Sequence, residues 1–243
     1  QQSGATLHAA QGLKSFSDCS NELKKLTTAS CKFWNERAVR FRSFEEYYPW
    51  EEGYPPLAFS TLSTVRMVSE GLVDIDLVAP GIKIASRQLL SRFESQAANQ
   101  QVAGLAALSW IHKTSPSLVS LAEINTLIEK TLQLQDEEGW FNEYGGPDLG
   151  YLSVTIDCLW DSFDAIGDIR LIESAKKALS FLDEMTCNTY GDSIGMHNAR
   201  NTDYIVPYGI ARFLDVSIDA DSQKKSLRLL KNIFSKSDCN KHF

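Results

Sequence analysis

The chain has 243 residues, of which 43% are hydrophobic and 23% charged, a composition that is ordinary for a globular protein and sufficient for a sizeable core. Its formal net charge of −7 disfavours nucleic acid or an anionic membrane surface as a partner. No apolar run approaches the roughly 18 residues that span a bilayer, so we expect no transmembrane segment.

The five cysteines are odd in number and scattered, and none belongs to a C-x-x-C motif. This pattern disfavours a disulfide framework or a zinc site and favours a reducing compartment, so we expect a cytoplasmic protein. The sequence contains no phosphate-binding loop, dinucleotide fingerprint or G-x-S-x-G motif, and we expect neither a cofactor nor a bound metal. The oligomeric state is left open.

Hydrophobic periodicity predicts an almost entirely helical chain that follows a possible tail at residues 1–17. Apolar helices with small residues on most sides alternate with amphipathic helices, which carry one apolar face. In chain order the predicted helices are Asp18–Arg42, Leu57–Gly71, Ala79–Phe93, Val102–His112, Ser117–Gln135, Gly150–Asp164, Ile169–Glu184, Tyr204–Leu214 and Ser222–Ser235.

The apolar helices recur with a period of about 50 residues, which is typical of repeat architectures built from helical hairpins. Equivalent starts are Pro55, Asn99, Gly150 and Asp203. Hairpins stack into an open solenoid or close into an α/α toroid, and the apolar character of alternate helices favours the toroid, because its inner helices have neighbours on all sides. We therefore predict one all-α domain over residues 1–243, an incomplete or closed ring of about four to five hairpins.

In such a ring the loops that lead into the inner helices open at the same end. Four loops that combine aromatic and acidic residues precede these helices, whereas ordinary surface loops carry small polar residues. The sequence therefore predicts that the four loops face one cavity and form a ligand pocket.

Several segments resemble known toroid proteins. LQLQDEEGWF (residues 132–141) is similar to the Q-x-x-x-G-x-W repeat of terpenoid cyclases, with one spacer residue fewer before Trp140. The order of SFEEYYPWEEGYPPLAFSTLS, AANQQVAGLAALSW, DEEGWFNEYGGPDLGYLSVTIDCL and NARNTDYIVPYG, within residues 34–214, resembles a group of bacterial α/α-toroid proteins that accompany surface-polysaccharide genes. This resemblance implies the toroid fold and an activity on glycans.

The segment AANQQVAGLAAL also resembles the inner helix of heparinase II/III-type lyase toroids. Asn99, Gln100 and Gln101 stand where that family has an Asn-Asn-His cluster; the histidine is absent from this position, and we expect no β-sandwich domain within these 243 residues. The Asp-x-Asp-Asp and Asp-Asp-x-x-Asp motifs of terpenoid cyclases do not occur in this chain.

Two of the four loops pair carboxylates with aromatic rings, as sugar sites do, because a ring stacks on C–H groups while acids bind hydroxyls. The first loop contributes Glu46, Tyr48, Trp50 and Tyr54, and its alternative reading is an acidic surface loop with buried aromatic anchors. The loop before Gly150 contributes Trp140, Glu143, Tyr144, Asp148 and Tyr151, and Asn99 at the start of the preceding apolar helix is added to this group. Instead of binding a ligand, Asp148 could cap the helix that begins near Gly150.

Asp157, Asp161 and Asp164 share one face of a predicted helix. Such a face suits a divalent cation, but the last two lie near the helix end, where they are expected to meet solvent or a basic side chain. Asp157, among apolar residues in the middle of the helix, is the stronger catalytic candidate.

The fourth loop carries His197, Arg200, Asn201, Asp203 and Tyr204. Histidine is a candidate general base, and a guanidinium binds the carboxylate of an acidic sugar in a bidentate fork. Asp203 has a helix N-cap as its alternative role.

We therefore expect a carbohydrate-active protein that binds an oligosaccharide or polysaccharide, with hydrolase, lyase or uronyl epimerase chemistry as the catalytic options. The alternatives are a non-catalytic glycan-binding or scaffold protein of polysaccharide assembly and an isoprenoid-handling toroid. The catalytic candidates are Glu46, Glu143, Asp157, His197 and Asp203. The binding candidates are Tyr48, Trp50, Tyr54, Asn99, Trp140, Tyr144, Asp148, Tyr151, Arg200, Asn201 and Tyr204.

Overall fold

The structure is a computed structural model that describes residues 21–42, 44–45, 52–187, 205–215 and 218–239. These residues form helices and connecting loops, and no strand occurs among them beyond two isolated β-bridges. The predicted all-α fold class is confirmed for this part of the chain. The closing of the hairpins into a toroid stays a prediction.

The helices follow the predicted order closely. Within the described ranges they are α1 (Asn21–Phe41), α2 (Tyr54–Ser69), α3 (Ala79–Ser91), α4 (Ala98–Thr114), α5 (Leu121–Leu132), α6 (Leu149–Ile166), α7 (Ile169–Cys187), α8 (Pro207–Ala211) and α9 (Ala220–Cys239). Short 3-10 helices cover Ile75–Leu77 and Arg212–Leu214.

Helix α5 is shorter at both ends than the predicted Ser117–Gln135. A capping box starts it, because Ser120 Oγ accepts from the backbone N–H of Glu123 at 3.3 Å while the Glu123 carboxylate accepts from the backbone N–H of Ser120 at 2.8 Å. At the other end Gln135 forms an antiparallel bridge with Phe141, which removes it from the helix. Both boundaries are therefore set by local hydrogen bonds.

Helix α8 also differs from its prediction, which had an apolar helix over Tyr204–Leu214. The helix spans only Pro207–Ala211, with proline in its first turn, and continues as the 3-10 helix Arg212–Leu214. Tyr204 lies outside the described residues. Helix α4 meets its prediction of burial on all sides, since each residue from Gln101 to Trp110 is buried.

The described chain forms two compact units. The first contains residues up to Glu94 together with Ala103–Leu127. In it α3 packs against α1 and α2. The indole N–H of Trp34 donates to Ser60 Oγ at 2.9 Å and joins α1 to α2, and the backbone N–H of Gly81 donates to Asn35 Oδ1 at 2.7 Å and joins α3 to α1.

The second unit contains Ser95–Val102 and the residues from Ile128 onward. Helix α7 packs between α6 and α9, and α8 packs on α6. The α8 contact is close, since a Cβ added to Gly209 would lie 2.6 Å from the Cα of Asp157. No helix in the described ranges is both long enough and apolar enough to cross a membrane.

Candidate functional site

The connection from α5 to α6 holds most of the described candidate residues, and its first half is a tight turn over residues 135–141. The side chain of Gln135 holds this turn, because its amide donates to the carbonyls of Gly139 and Ser174 at 2.9 and 3.0 Å and accepts from Ser174 Oγ at 2.7 Å. Ser174 lies on α7. The glutamine of the repeat-like motif therefore attaches the turn to α7.

Gly139 has a backbone conformation that only glycine adopts easily, with φ 106°. A Cβ at this position would also lie 2.5 Å from the carbonyl oxygen of Lys177. Trp140 follows it, is half-buried, and donates its indole N–H to the Glu138 carboxylate at 3.3 Å. Gly139 and Gln135 thus have structural roles, and Trp140 remains partly accessible.

The second half of the connection is the Tyr144 loop, which we define as residues 142–147. It is bound to the segment before α4 by a short ladder of hydrogen bonds. The backbone N–H of Ala98 donates to the Asn142 carbonyl at 3.0 Å, and the backbone N–H of Tyr144 donates to the Gln96 carbonyl at 2.6 Å. The loop also closes on itself, since the N–H of Glu143 donates to the Gly146 carbonyl at 2.8 Å. These bonds hold the loop in one conformation.

Glu143 belongs to this loop, and its carboxylate lies at the start of α4. Its side chain is 1% exposed, and its Oε1 accepts from the backbone N–H of Asn99 at 2.7 Å. Because the first N–H groups of a helix have no partner within it, a carboxylate placed there both caps the helix and meets the positive end of its dipole. The structure therefore gives this catalytic candidate a capping role.

Asn99 is itself buried, and its side-chain Oδ1 has no hydrogen-bond partner among the described residues. Its backbone, rather than its amide, makes the contact with Glu143. A ligand on the surface would not reach this oxygen, so the amide of Asn99 is placed inside the unit and not on a binding face.

Asp148 caps the next helix in the same way. It is 1% exposed, lies immediately before α6, and its Oδ1 accepts from the backbone N–H of Tyr151 at 2.9 Å. The capping alternative for Asp148 is thus confirmed. Tyr151 is half-buried in the first turn of α6.

Tyr144 is the exposed member of the cluster. Its side chain is 47% exposed, and its backbone has φ 55°, which is uncommon for a residue with a Cβ. The amide of Gln100 donates to its hydroxyl at 3.4 Å. The two following residues, Gly145 and Gly146, have open space where a Cβ would point. An aromatic ring and an accessible stretch of backbone are therefore presented together.

Two polar neighbours of Tyr144 were not predicted as site residues. Gln100 contacts its hydroxyl, and Asn142 orders the loop by donating to the Ser95 carbonyl at 3.1 Å and accepting from the N–H of Gly145 at 3.1 Å. The available signal for Asn142 was its position three residues before a glycine in a loop, because asparagine commonly bonds the backbone of such turns.

The acidic face of α6 is neutralised at its end. Asp164 binds Arg212 through two hydrogen bonds of 2.7 and 2.8 Å, as expected for an acid at this position. The contact with Asp164, supported by the fields of Asp161 and Asp157, raises the pKa of Arg212. Asp157 is half-buried where α8 packs on α6. No metal-binding group of three or more ligands occurs among the described residues.

Tyr54 belongs to the first unit and is 5% exposed. Burial raises the pKa of its hydroxyl group. The hydroxyl packs closely on Gly104, since its oxygen would lie 2.3 Å from a Cβ added at that position. The guanidinium carbon of Arg92 lies 5.4 Å from the ring centroid. This aromatic ring is an anchor in the interior and not a stacking surface.

The remaining candidates lie outside the described residues. They are Glu46, Tyr48 and Trp50 of the first loop and His197, Arg200, Asn201, Asp203 and Tyr204 of the fourth. Their functional roles stay predictions.

Comparison of the chain with protein-family models, curated proteins and solved structures returned no match. The resemblance to α/α-toroid proteins of surface-polysaccharide systems therefore stays a prediction.

Proposed function

We propose that the protein binds a carbohydrate, an oligosaccharide or a polysaccharide, through the Tyr144 loop of the second unit. The observation that carries the proposal is the 47% exposure of Tyr144 on a loop that backbone hydrogen bonds hold in place. An exposed ring that is already ordered binds a sugar face without losing further conformational freedom, which lowers the entropic cost of association.

The surroundings of the ring suit the hydroxyl groups of a sugar. The amide of Gln100 contacts the Tyr144 hydroxyl, Asn142 lies within the loop, and the backbone at Gly145 and Gly146 is open to approach. Neutral amides and peptide groups both donate and accept hydrogen bonds, as a hydroxyl does. The proposed ligand is therefore a neutral or mildly polar glycan and not a strongly charged one.

The capping roles of Glu143 and Asp148 favour binding over catalysis at this loop. Each carboxylate is buried and accepts a hydrogen bond from a helix N–H. A general acid or base has to come within hydrogen-bond reach of the substrate, and these two side chains face the protein interior. Of the alternatives drawn from the sequence, the non-catalytic glycan-binding protein is thus the one that this geometry supports.

A glycan array tests the proposal with the full chain and three variants. Tyr144→Ala removes the ring, Tyr144→Phe removes only the hydroxyl, and Tyr208→Ala is the control, because Tyr208 is an aromatic residue of the same unit that is 70% exposed and lies outside the loop. We expect Tyr144→Ala to lose about 1–2 kcal/mol of binding free energy, a factor of roughly five to thirty in affinity, while Tyr208→Ala binds as wild type.

Retention of most affinity in Tyr144→Phe would show that stacking carries the interaction. A wild-type protein that binds no glycan, or a Tyr144→Ala variant that binds as tightly as wild type, would overturn the proposal.

A further inference from the structure

A separate cavity of about 270 Å³ lies in the first unit, beside the start of α2 and the end of α3. Its polar lining is dominated by side chains that carry N–H groups. The residues that matter for its chemistry are Arg42, Phe44, Glu52, Gln88, Ser91 and Arg92. Two arginines line this small cavity, although the net charge of the chain is −7.

Arg92 is held in position from two sides. Its Nη2 donates to the backbone carbonyl of Glu52 at 2.9 Å, and its guanidinium lies over the ring of buried Tyr54 at 5.4 Å from the centroid. A guanidinium carries five N–H donors in a planar fork, so the hydrogen bond to Glu52 uses one of them, and Arg92 is a lining residue of the cavity.

Arg42 is fixed through its backbone. It follows the last residue of α1 and has φ 50°, and Arg42 and Tyr144 are the two non-glycine residues with positive φ in the described part of the chain. The Gln88 amide donates to the Arg42 carbonyl at 2.8 Å, a contact between residues 46 positions apart. A strained residue persists only where the surrounding structure determines it, and such residues concentrate at ligand sites.

The described residues of the cavity lining include two arginines and one acidic residue, Glu52. Neither Arg42 nor Arg92 has a carboxylate partner within ion-pair distance among the described residues. Glu45, which follows the lining residue Phe44, forms an ion pair with Arg37 at 2.5 Å. Phe44 is buried against Trp34, at 5.9 Å between centroids, and gives the cavity an apolar wall.

We propose that this cavity binds the oxyanion group of a small molecule, a phosphate or a carboxylate, between Arg42 and Arg92. Planar guanidinium forks match the oxygen pairs of both groups. The volume of about 270 Å³ lies just below the range of roughly 300–1,000 Å³ that is typical of organic ligand pockets, so it suits an anionic group with at most a small apolar substituent against Phe44. This site does not depend on carbohydrate binding at the Tyr144 loop, since it lies wholly in the other unit.

Calorimetric titration of the full chain with inorganic phosphate, and separately with acetate, tests the proposal. The variants are Arg42→Gln and Arg92→Gln, and Arg87→Gln is the matched control, because Arg87 is an exposed arginine of α3 that does not line the cavity. We expect saturable binding of at least one anion to wild type and to Arg87→Gln, and roughly tenfold weaker binding to each of the other two variants.

Arg92→Lys separates charge from geometry, because it keeps the positive charge and loses the fork. We expect it to bind more weakly than wild type. Circular dichroism identifies any variant that fails to fold, and Arg42→Gln then decides the outcome, since the Arg42 side chain is exposed and its substitution keeps the backbone contact with Gln88. Preference for phosphate over acetate, or the reverse, identifies the anionic group.

Two results would overturn the proposal. One is the absence of saturable binding of either anion to wild type up to about 10 mM. The other is equal affinity in Arg42→Gln, Arg92→Gln and Arg87→Gln, which would show a general effect of net charge and no site.

Discussion

The carboxylate of Glu143 accepts a hydrogen bond of 2.7 Å from the backbone N–H of Asn99, which lies 44 positions earlier in the chain. A side chain of one loop therefore caps a helix that belongs to a different hairpin. This contact moves the start of α4 to Ala98, ahead of the predicted Val102, because it satisfies a backbone group that an uncapped helix end would expose.

Replacement of this cap tests its contribution to stability. We expect Glu143→Ala to lower the free energy of unfolding by about 2 kcal/mol, because a buried N–H group loses its partner as well as the favourable charge at the helix end. Urea denaturation followed by circular dichroism measures the change. Glu137→Ala, at an exposed position of the same connection, is the control and should stay within about 0.5 kcal/mol of wild type. Equal effects of the two variants would contradict the capping role.

Gly139 and Gly145 form a matched pair for testing a steric contact. Both have positive φ, 106° and 94°, but only at Gly139 would a Cβ meet a neighbour, the Lys177 carbonyl at 2.5 Å. We expect Gly145→Ala to cost about 1 kcal/mol from backbone strain and Gly139→Ala at least about 2 kcal/mol more, because the turn has to move off α7. Thermal unfolding compares the two variants. Indistinguishable melting temperatures would contradict a destabilising contact between the new Cβ at residue 139 and the Lys177 carbonyl.

The ion pair of Asp183 and Arg228 joins α7 to α9. The Asp183 side chain is 3% exposed, and its carboxylate accepts from Arg228 Nε at 2.8 Å and from a second guanidinium nitrogen. Arg228→Ala leaves this acid buried without its partner, so we expect a loss of about 3 kcal/mol. The double variant with Asp183→Ala should lose less than the sum of the single losses, by about 1–3 kcal/mol.

Chemical denaturation of the wild type, the two single variants and the double variant gives the coupling energy between Asp183 and Arg228. Asp221→Ala, which breaks an exposed ion pair with Lys225 on the same helix, is the control and should cost no more than about 1 kcal/mol. Strict additivity of Asp183→Ala and Arg228→Ala would contradict an energetic link between the two side chains.

Asp219 makes stability depend on pH in the acid range. The pKa of the Asp219 carboxyl group is lowered from an ordinary 3.8 to about 2. The main cause is the hydrogen bond from the backbone N–H of Ser222, and Lys176 adds to the shift. Because the folded state releases the proton more readily than the unfolded state, the stabilisation is complete above about pH 5 and is lost as the pH falls through 4 to 2. The carboxylate is about half exposed, so solvent screening keeps the contribution below about 1 kcal/mol.

Unfolding measured from pH 7 to pH 2 checks this dependence. We expect Asp219→Asn to be less stable than wild type at pH 7 and the difference to shrink towards pH 2. A constant difference between Asp219→Asn and wild type at every pH would refute the linkage.

The sequence predicted the order and type of the helices well because hydrophobic periodicity is a local signal. Ala79 was identified as the first residue of α3 and Ile169 as that of α7, and the apolar character of α4 correctly indicated burial on all sides. It also identified the alternative role of Asp148, since a carboxylate just before an apolar helix is a recognisable N-cap.

The candidate site was harder to predict because its side chains are sorted by contacts between distant segments. Glu143 and Tyr144 are neighbours in the chain, but one is 1% exposed and the other 47% exposed. Composition alone placed both in a pocket. The sequence contains no local feature that shows which of the two turns inward, because that depends on the pairing of Ala97 with Glu143 in an isolated bridge.

By itself, the sequence determined an all-α chain of alternating apolar and amphipathic helices, with aromatic and acidic residues in the loops between them. Only the tertiary structure decided that Glu143 caps α4, that Tyr144 is the exposed ring, and that Arg42 and Arg92 line one cavity. The physical reason is that helix formation follows from residues three and four positions apart, whereas the partners of Glu143 and Arg92 come from segments that are 40 or more positions away and meet them only in the folded chain.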